Sequence, residues 1–173
     1  MAEIKRIGFG QVEPNHLSAQ RTSQIYAQLP AAADIKVLEN GQFAKYDYAK
    51  NEVNFTGEGE WMLVFNEVKL YDEGRESYKD FALQTKNFTG EIMTPRLFKT
   101  NVGDIFTTNC LKVGNTSGNL EAAGMAVEVG DKLAPNAKGY LDVAAEGAEM
   151  VFQVVKVYTM PDGQPAVKVQ RIK

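Results

Sequence analysis

The chain is short of the side chains that most often carry chemistry. Its 173 residues include one histidine (His16), one cysteine (Cys110) and one tryptophan (Trp61). A Cys/His zinc site takes about three or four such ligands, so one of each cannot build it. A single cysteine also excludes a disulfide within the chain. A Ser-His or Cys-His pair would have to recruit His16, which sits in a polar stretch. Long apolar runs are missing too. Trp61-Met62-Leu63-Val64-Phe65 is strand length, and a spanning helix needs about 20 apolar residues. The N-terminus, Met-Ala-Glu-Ile-Lys-Arg, has no apolar stretch behind it and does not read as a signal peptide, which leads us to expect a protein made and kept in the cytoplasm. An excess of positive charge is likewise lacking. Nineteen Lys+Arg face 22 Asp+Glu, without the basic footprint that nucleic-acid binding requires. Lys168, Arg171 and Lys173 near the C-terminus read as a solvated end.

What is present is an ordinary globular composition, 44% apolar and 24% charged. A chain of this size can bury about 70% of its unfolded surface. Residues 1–33 read as an N-terminal arm. Gly8-Phe9-Gly10 leads into polar residues up to His16. Ser18 to Leu29 then forms either a short helix, with Ile25, Tyr26 and Leu29 on one stripe and Pro30 interrupting it, or an extended arm. Residues 34–173 read as a β-rich body with a sub-boundary near the turn-rich 114–124. Ile35–Leu38 and Gln42–Tyr48 flank Asn40-Gly41, a hairpin signal. Val53–Phe55, Glu60–Leu70, Phe81–Leu83, two short runs within 97–111, Met125–Val129, Lys132–Asn136 and Tyr140–Val143 follow as strands. The run at 61–65 predicts burial on both faces. Val151–Tyr158 and Ala166–Ile172 flank Met160-Pro161-Asp162-Gly163 as a terminal hairpin. Glu39-Asn40-Gly41-Gln42, Asn101-Val102-Gly103-Asp104 and Glu128-Val129-Gly130-Asp131 share one pattern, a turn glycine at the entry to a strand. Their irregular spacing indicates recurring turn chemistry and not a repeat protein. The fold class is therefore mainly β, a small barrel or sandwich of short antiparallel strands.

No constellation points to catalysis, a cofactor or a metal. Glu58 and Glu60 project to one face of an extended chain, but they read as solvated acids ahead of a strand. Asp72, Glu73, Glu76 and Asp80 lack the ordered spacing of a calcium loop. Gly8-Phe9-Gly10 and Gly57-Glu58-Gly59 lack the third glycine of a dinucleotide motif. Cys110 lies in a strand-like run without nearby cations and reads as a small core or half-buried residue. Aromatics crowd the first half, mostly as core or cross-strand pairs. Candidate interface residues are Phe9, His16, Arg21 and Tyr26 on the arm, with Tyr46 and Tyr48, which share a face, on the body. A carbohydrate- or peptide-binding module using Tyr46, Tyr48 and Trp61 is a competing reading, decided by the exposure of those rings.

Several stretches carry a resemblance. Val12–Gln20, Gln24–Leu29, Leu38–Tyr48, Gly59–Asp72 and Tyr158–Lys168 resemble small virion proteins of tailed bacteriophages, found beside the major capsid protein. Gly124–Asp131 through Gly139-Tyr140-Leu141 is similar to the small β-rich capsid decoration proteins. That resemblance implies a decoration or cement protein of the virion. It would bind and stabilise the major capsid shell, self-associate as a trimer or along capsomer edges, and use no cofactor, nucleic acid or membrane. It would pass through the host cytoplasm during assembly. The alternatives within the virion are a head-fibre base, a head–tail connector or a tail protein. Outside it, the alternative is a non-viral ligand-binding β module. Under the decoration reading the arm clasps the capsid or a neighbouring copy, ordering on contact, and the repeated lattice multiplies weak contacts.

Overall fold

The computed structural model describes residues 10–13, 29–35, 37–66, 82–84, 94–111, 127–160 and 165–173. Among the described residues, twelve short strands run in chain order: β1 (Val12–Glu13), β2 (Val37–Glu39), β3 (Phe43–Asp47), β4 (Glu52–Asn54), β5 (Met62–Val64), β6 (Ala82–Gln84), β7 (Leu97–Phe98), β8 (Ile105–Thr108), β9 (Lys132–Pro135), β10 (Leu141–Val143), β11 (Phe152–Thr159) and β12 (Pro165–Arg171). They form a six-stranded sheet β1-β8-β12-β11-β9-β10, a four-stranded sheet β4-β3-β5-β7 and a separate β2-β6 pair. All these pairings are antiparallel. The fold is mainly β, as the sequence predicts, and of the two forms expected it is the sandwich. The helix expected over Ser18 to Leu29 and the sub-boundary near 114–124 lie outside the described residues, apart from Leu29.

Period-two alternation explains the layering. The four-stranded sheet is covered on both faces. Phe43, Leu63 and Phe98 point one way, into a core shared with Phe106, Leu133, Leu141, Phe152, Val154, Val167 and Val169 of the six-stranded sheet. Ala44, Tyr46, Val53, Met62, Val64 and Leu97 point the other way, against Ala31, Ala32, Ile35 and Leu38. A middle strand must then be apolar at successive positions, which is why Met62-Leu63-Val64 is buried throughout. The rings of Phe43, Phe106 and Phe152 meet across the first core. Phe43 lies 5.2 Å from Phe152, and Phe106 meets Phe152 edge-on at 5.5 Å.

Among the described residues, the N-terminal stretch joins the body at two places. Val12 and Glu13 pair with Thr108 and Thr107 of β8, and Gln11 N–H donates to Asn109 Oδ1 at 2.7 Å. Further on, Ala31 bridges Val53 in parallel. Ala32 N–H donates to Val53 O, and Val53 N–H to Pro30 O.

The three glycine turns share one geometry. In each, the fourth residue's N–H donates to the first residue's carbonyl: Gln42 to Glu39, Asp104 to Asn101, Asp131 to Glu128. In each, the fourth side chain accepts from the first residue's N–H, at 2.6 Å (Gln42 Oε1), 2.7 Å (Asp104 Oδ2) and 2.8 Å (Asp131 Oδ2). Gly41, Gly103 and Gly130 have φ of 97°, 95° and 100°. Each glycine N–H then donates to one residue of an adjacent strand (Val64, Arg171 or Val154), whose own N–H returns to the fourth carbonyl of the turn. Two turn residues thus oppose one strand residue, a bulge with glycine in the left-handed position. The recurring turn chemistry expected from the sequence is the same turn-plus-bulge unit built three times.

The same geometry corrects the hairpin expected at Asn40-Gly41. A two-residue hairpin turn of type I′ needs positive φ at both central residues. Among the described residues only Asn51 (φ 56°) is a non-glycine with positive φ. The Glu39–Gln42 turn is therefore of the type II kind, which splays the flanking strands. β2 goes to β6, while β3 goes to β4 and β5. The Asn101–Asp104 turn likewise carries the chain from β7 in one sheet to β8 in the other. The strand expected over Met125–Val129 is not formed at its described end, because Glu128–Asp131 is one of these turns and Val127 is a buried core residue. The terminal hairpin is present as β11 and β12. The β11–β12 pairing shifts register between Val154 and Lys156, and β9 pairs with the start of β11 at Phe152 and Gln153.

Candidate functional site

Of the six candidate interface residues, Phe9, His16, Arg21 and Tyr26 lie outside the described residues. Tyr46 and Tyr48 are brought together, with ring centroids 5.7 Å apart, but their environments differ. Tyr46 is a core residue at 2% exposure, and Tyr48 stands 66% exposed at the start of the β3–β4 turn. That turn is fastened by Asp47, which accepts from Lys50 N–H and from Asn54 Nδ2, each at 3.1 Å. The Lys50 N–H, then the Asn54 amide, hold the Asp47 carboxyl below its ordinary value. A shared aromatic face on Tyr46 and Tyr48 is thereby reduced to one exposed ring.

Glu58 and Glu60 part company as well. Glu58 is exposed. Glu60 forms ion pairs with Arg171 (2.7 Å) and Lys99 (3.4 Å). The Arg171 guanidinium also donates to the Thr100 carbonyl and hydroxyl and, through Nε, to Lys173 O. Lys173 Nζ donates to Ala148 O at 2.7 Å. Two of the three basic residues that read as a solvated end are therefore engaged. The Glu60–Arg171 pair ties the approach to β5 in the middle layer to the end of β12. The Arg171 side chain is 12% exposed, so this pair escapes much of the screening that weakens a surface salt bridge.

A second polar cluster closes the junction of β2, β8 and the β9–β10 hairpin. Cys110 is fully buried, and its thiol donates to Glu39 Oε2 at 3.7 Å. Burial first, then the Glu39 carboxylate, push the thiol well above its ordinary value. Burial, followed by Glu39 and Cys110, pushes the Tyr140 phenol up in the same way. The thiol is inert here, as a buried structural cysteine is. Asn40 and Asn66 exchange two hydrogen bonds nearby, of 3.0 and 2.8 Å. Phe43 N–H donates to Gly139 O at 2.6 Å, fastening the β9–β10 turn onto β3.

A cavity of about 350 Å³, the size of a ligand site, lies among the described residues. It opens where the end of β9, strand β10 and the loop that follows meet Trp61 of the middle layer. Trp61, Val143 and Met150 supply apolar wall, and Asn136, Asp142 and Glu149 supply polar groups. Asp142 Oδ1 accepts from Val143 N–H at 2.8 Å, and Asn136 Nδ2 reaches Asp142 Oδ2 at 3.4 Å. Lys45 Nζ stands 4.8 Å from the Trp61 ring centroid, a cation–π contact. Trp61 is half-buried and faces this cavity, so it is the one ring of the proposed aromatic trio placed at a pocket. Sequence reading did not find Asn136, Asp142 or Glu149. They lie some eighty residues from Trp61 and carry no spacing signal. Among the described residues no group of three His, Cys, Asp or Glu is placed to hold a metal.

The chain matches no protein-family model, no curated protein and no solved structure.

Proposed function

We propose that this chain is a structural protein of a tailed-phage virion, a capsid decoration or cement protein that binds the major capsid shell and stabilises it. The resemblance of five sequence stretches to phage virion proteins motivates the reading. The observation that carries it is how the polar side chains are used. Glu60, Arg171, Glu39, Cys110, Asn40 and the three turn-closing Gln42, Asp104 and Asp131 are spent on ties between layers or on turn closure. A protein whose product is contact area needs a rigid, well-fastened body, and three copies of one side-chain-locked turn supply rigidity at the points where strands begin. The N-terminal stretch adds a strand to the sheet edge, the mode by which an arm recruits contact area from a β body.

The test uses purified protein added to shells that lack it. Saturable co-sedimentation, a higher shell dissociation temperature and image density at capsomer junctions are the expected results. Density at the tail or the unique vertex would move the chain to the head-fibre, connector or tail alternatives. No binding to any particle would end the virion reading.

A further inference from the structure

We propose that the cavity beside Trp61 is a docking pocket for a basic side chain, an arginine or lysine presented by a protein partner. Three features select that occupant. First, the pocket holds two carboxylates, Asp142 and Glu149, and neither has a cationic partner among the described residues. A neutral ligand closing over Asp142 would strip water from a charge without compensating it, whereas a guanidinium or ammonium supplies the counter-charge and the donors together. Second, apart from Asn136 the remaining wall is apolar: Val143, 66% exposed, with Met150, Pro135 and the flanking alanines. That wall suits the methylene stem of a long basic side chain with its head on the carboxylates. Third, the indole of Trp61 already accepts one cation, Lys45, over its ring. Lys45 over that ring and Lys173, whose Nζ donates to Ala148 O, stand at the margin of the cavity, and neither forms an ion pair with Asp142 or Glu149. At about 350 Å³ the cavity has room for one such side chain with water. The inference stands whether or not the partner is a phage shell. If it is, the shell protein presents the basic residue.

Trp61 is the single tryptophan of the chain, so its emission reports on this pocket without a second indole to mask it. Purified protein is titrated with N-acetyl-arginine methylamide, with the neutral citrulline analogue and with a methyl glucoside. The expected result is a saturable emission change with the arginine probe, weakened by salt and absent with citrulline. Both Asp142→Asn and Glu149→Gln should weaken it at least about tenfold, the scale of a lost charge-assisted contact. Glu149 is exposed, so its variant keeps the test open should Asp142→Asn disturb β10. Three results would overturn the proposal: no response to arginine, an equal response to citrulline, or a response to the glucoside alone, which would mark a sugar site. These measurements involve no particles, so failure here and failure of shell binding are read separately.

Discussion

The Cys110 thiol illustrates how much one residue's setting can differ from its chemistry. Raised ionisation of Cys110 and Tyr140 means that the native state holds these protons more tightly than the unfolded chain does. Below the ordinary cysteine value of 9.0 both states keep the protons, and the contribution to stability is complete. Above it the unfolded chain ionises first, and stability falls as pH rises, through the ordinary tyrosine value of 10.0 and beyond. The slope reaches up to about 1.4 kcal/mol per pH unit for each group. Urea midpoints should therefore hold level from pH 7 to near 9 and then drop, and Cys110→Ala should make the drop shallower. An equally steep fall in the variant would remove Cys110 from the account. A core or half-buried place for this cysteine was legible in its strand-like run without nearby cations. Its pairing with Glu39 was not, because 71 residues separate the two.

At the scale of elements, the three turn-plus-bulge units form a built-in comparison. A Cβ on Gly103 or Gly130 would meet nothing within 4 Å, but on Gly41 it would strike Thr108 Oγ1 and lie 2.7 Å from Cys110 Cβ. Replacement of Gly103 or Gly130 by alanine should then cost only the left-handed backbone penalty, about 1–2 kcal/mol. Gly41→Ala should cost roughly 3 kcal/mol or more, because packing strain adds to it. Denaturant midpoints of the three variants test the ranking, and equal losses would contradict it. The sequence announced these turns through their repeated Gly-plus-polar endings. It misled at Asn40-Gly41, since that dipeptide also signals a hairpin. The choice rests on φ at Asn40, whose side chain is drawn inward by Asn66 from across the fold.

For the whole molecule, the chain's first part matters through its two attachments. A protein lacking residues 2–29 loses β1, the Gln11–Asn109 and Thr108–Gln11 hydrogen bonds, and the packing of Val12 and Leu29 on the two cores. Partial burial of two aliphatic side chains with a few hydrogen bonds is worth roughly 2–3 kcal/mol. The truncated protein should fold with that much less stability in urea. A midpoint equal to that of the full chain would show that β1 adds nothing to the body. Loss of shell binding on truncation therefore implicates the arm only if the comparison is made on folded protein.

Local pattern by itself determined the β class, the doubly buried run at Met62–Val64, the terminal hairpin and the recurrence of one turn. Each depends on neighbours within a few residues, through side-chain alternation or on the backbone freedom of glycine. Tertiary structure alone decided which strands share a sheet, that the four-stranded sheet is the middle layer, that Glu60 meets Arg171, and that Trp61 shares a cavity with Asp142. Those contacts join residues roughly 80 to 110 apart, and the free energy that selects them is the burial of two whole faces at once. No short window of sequence contains that quantity.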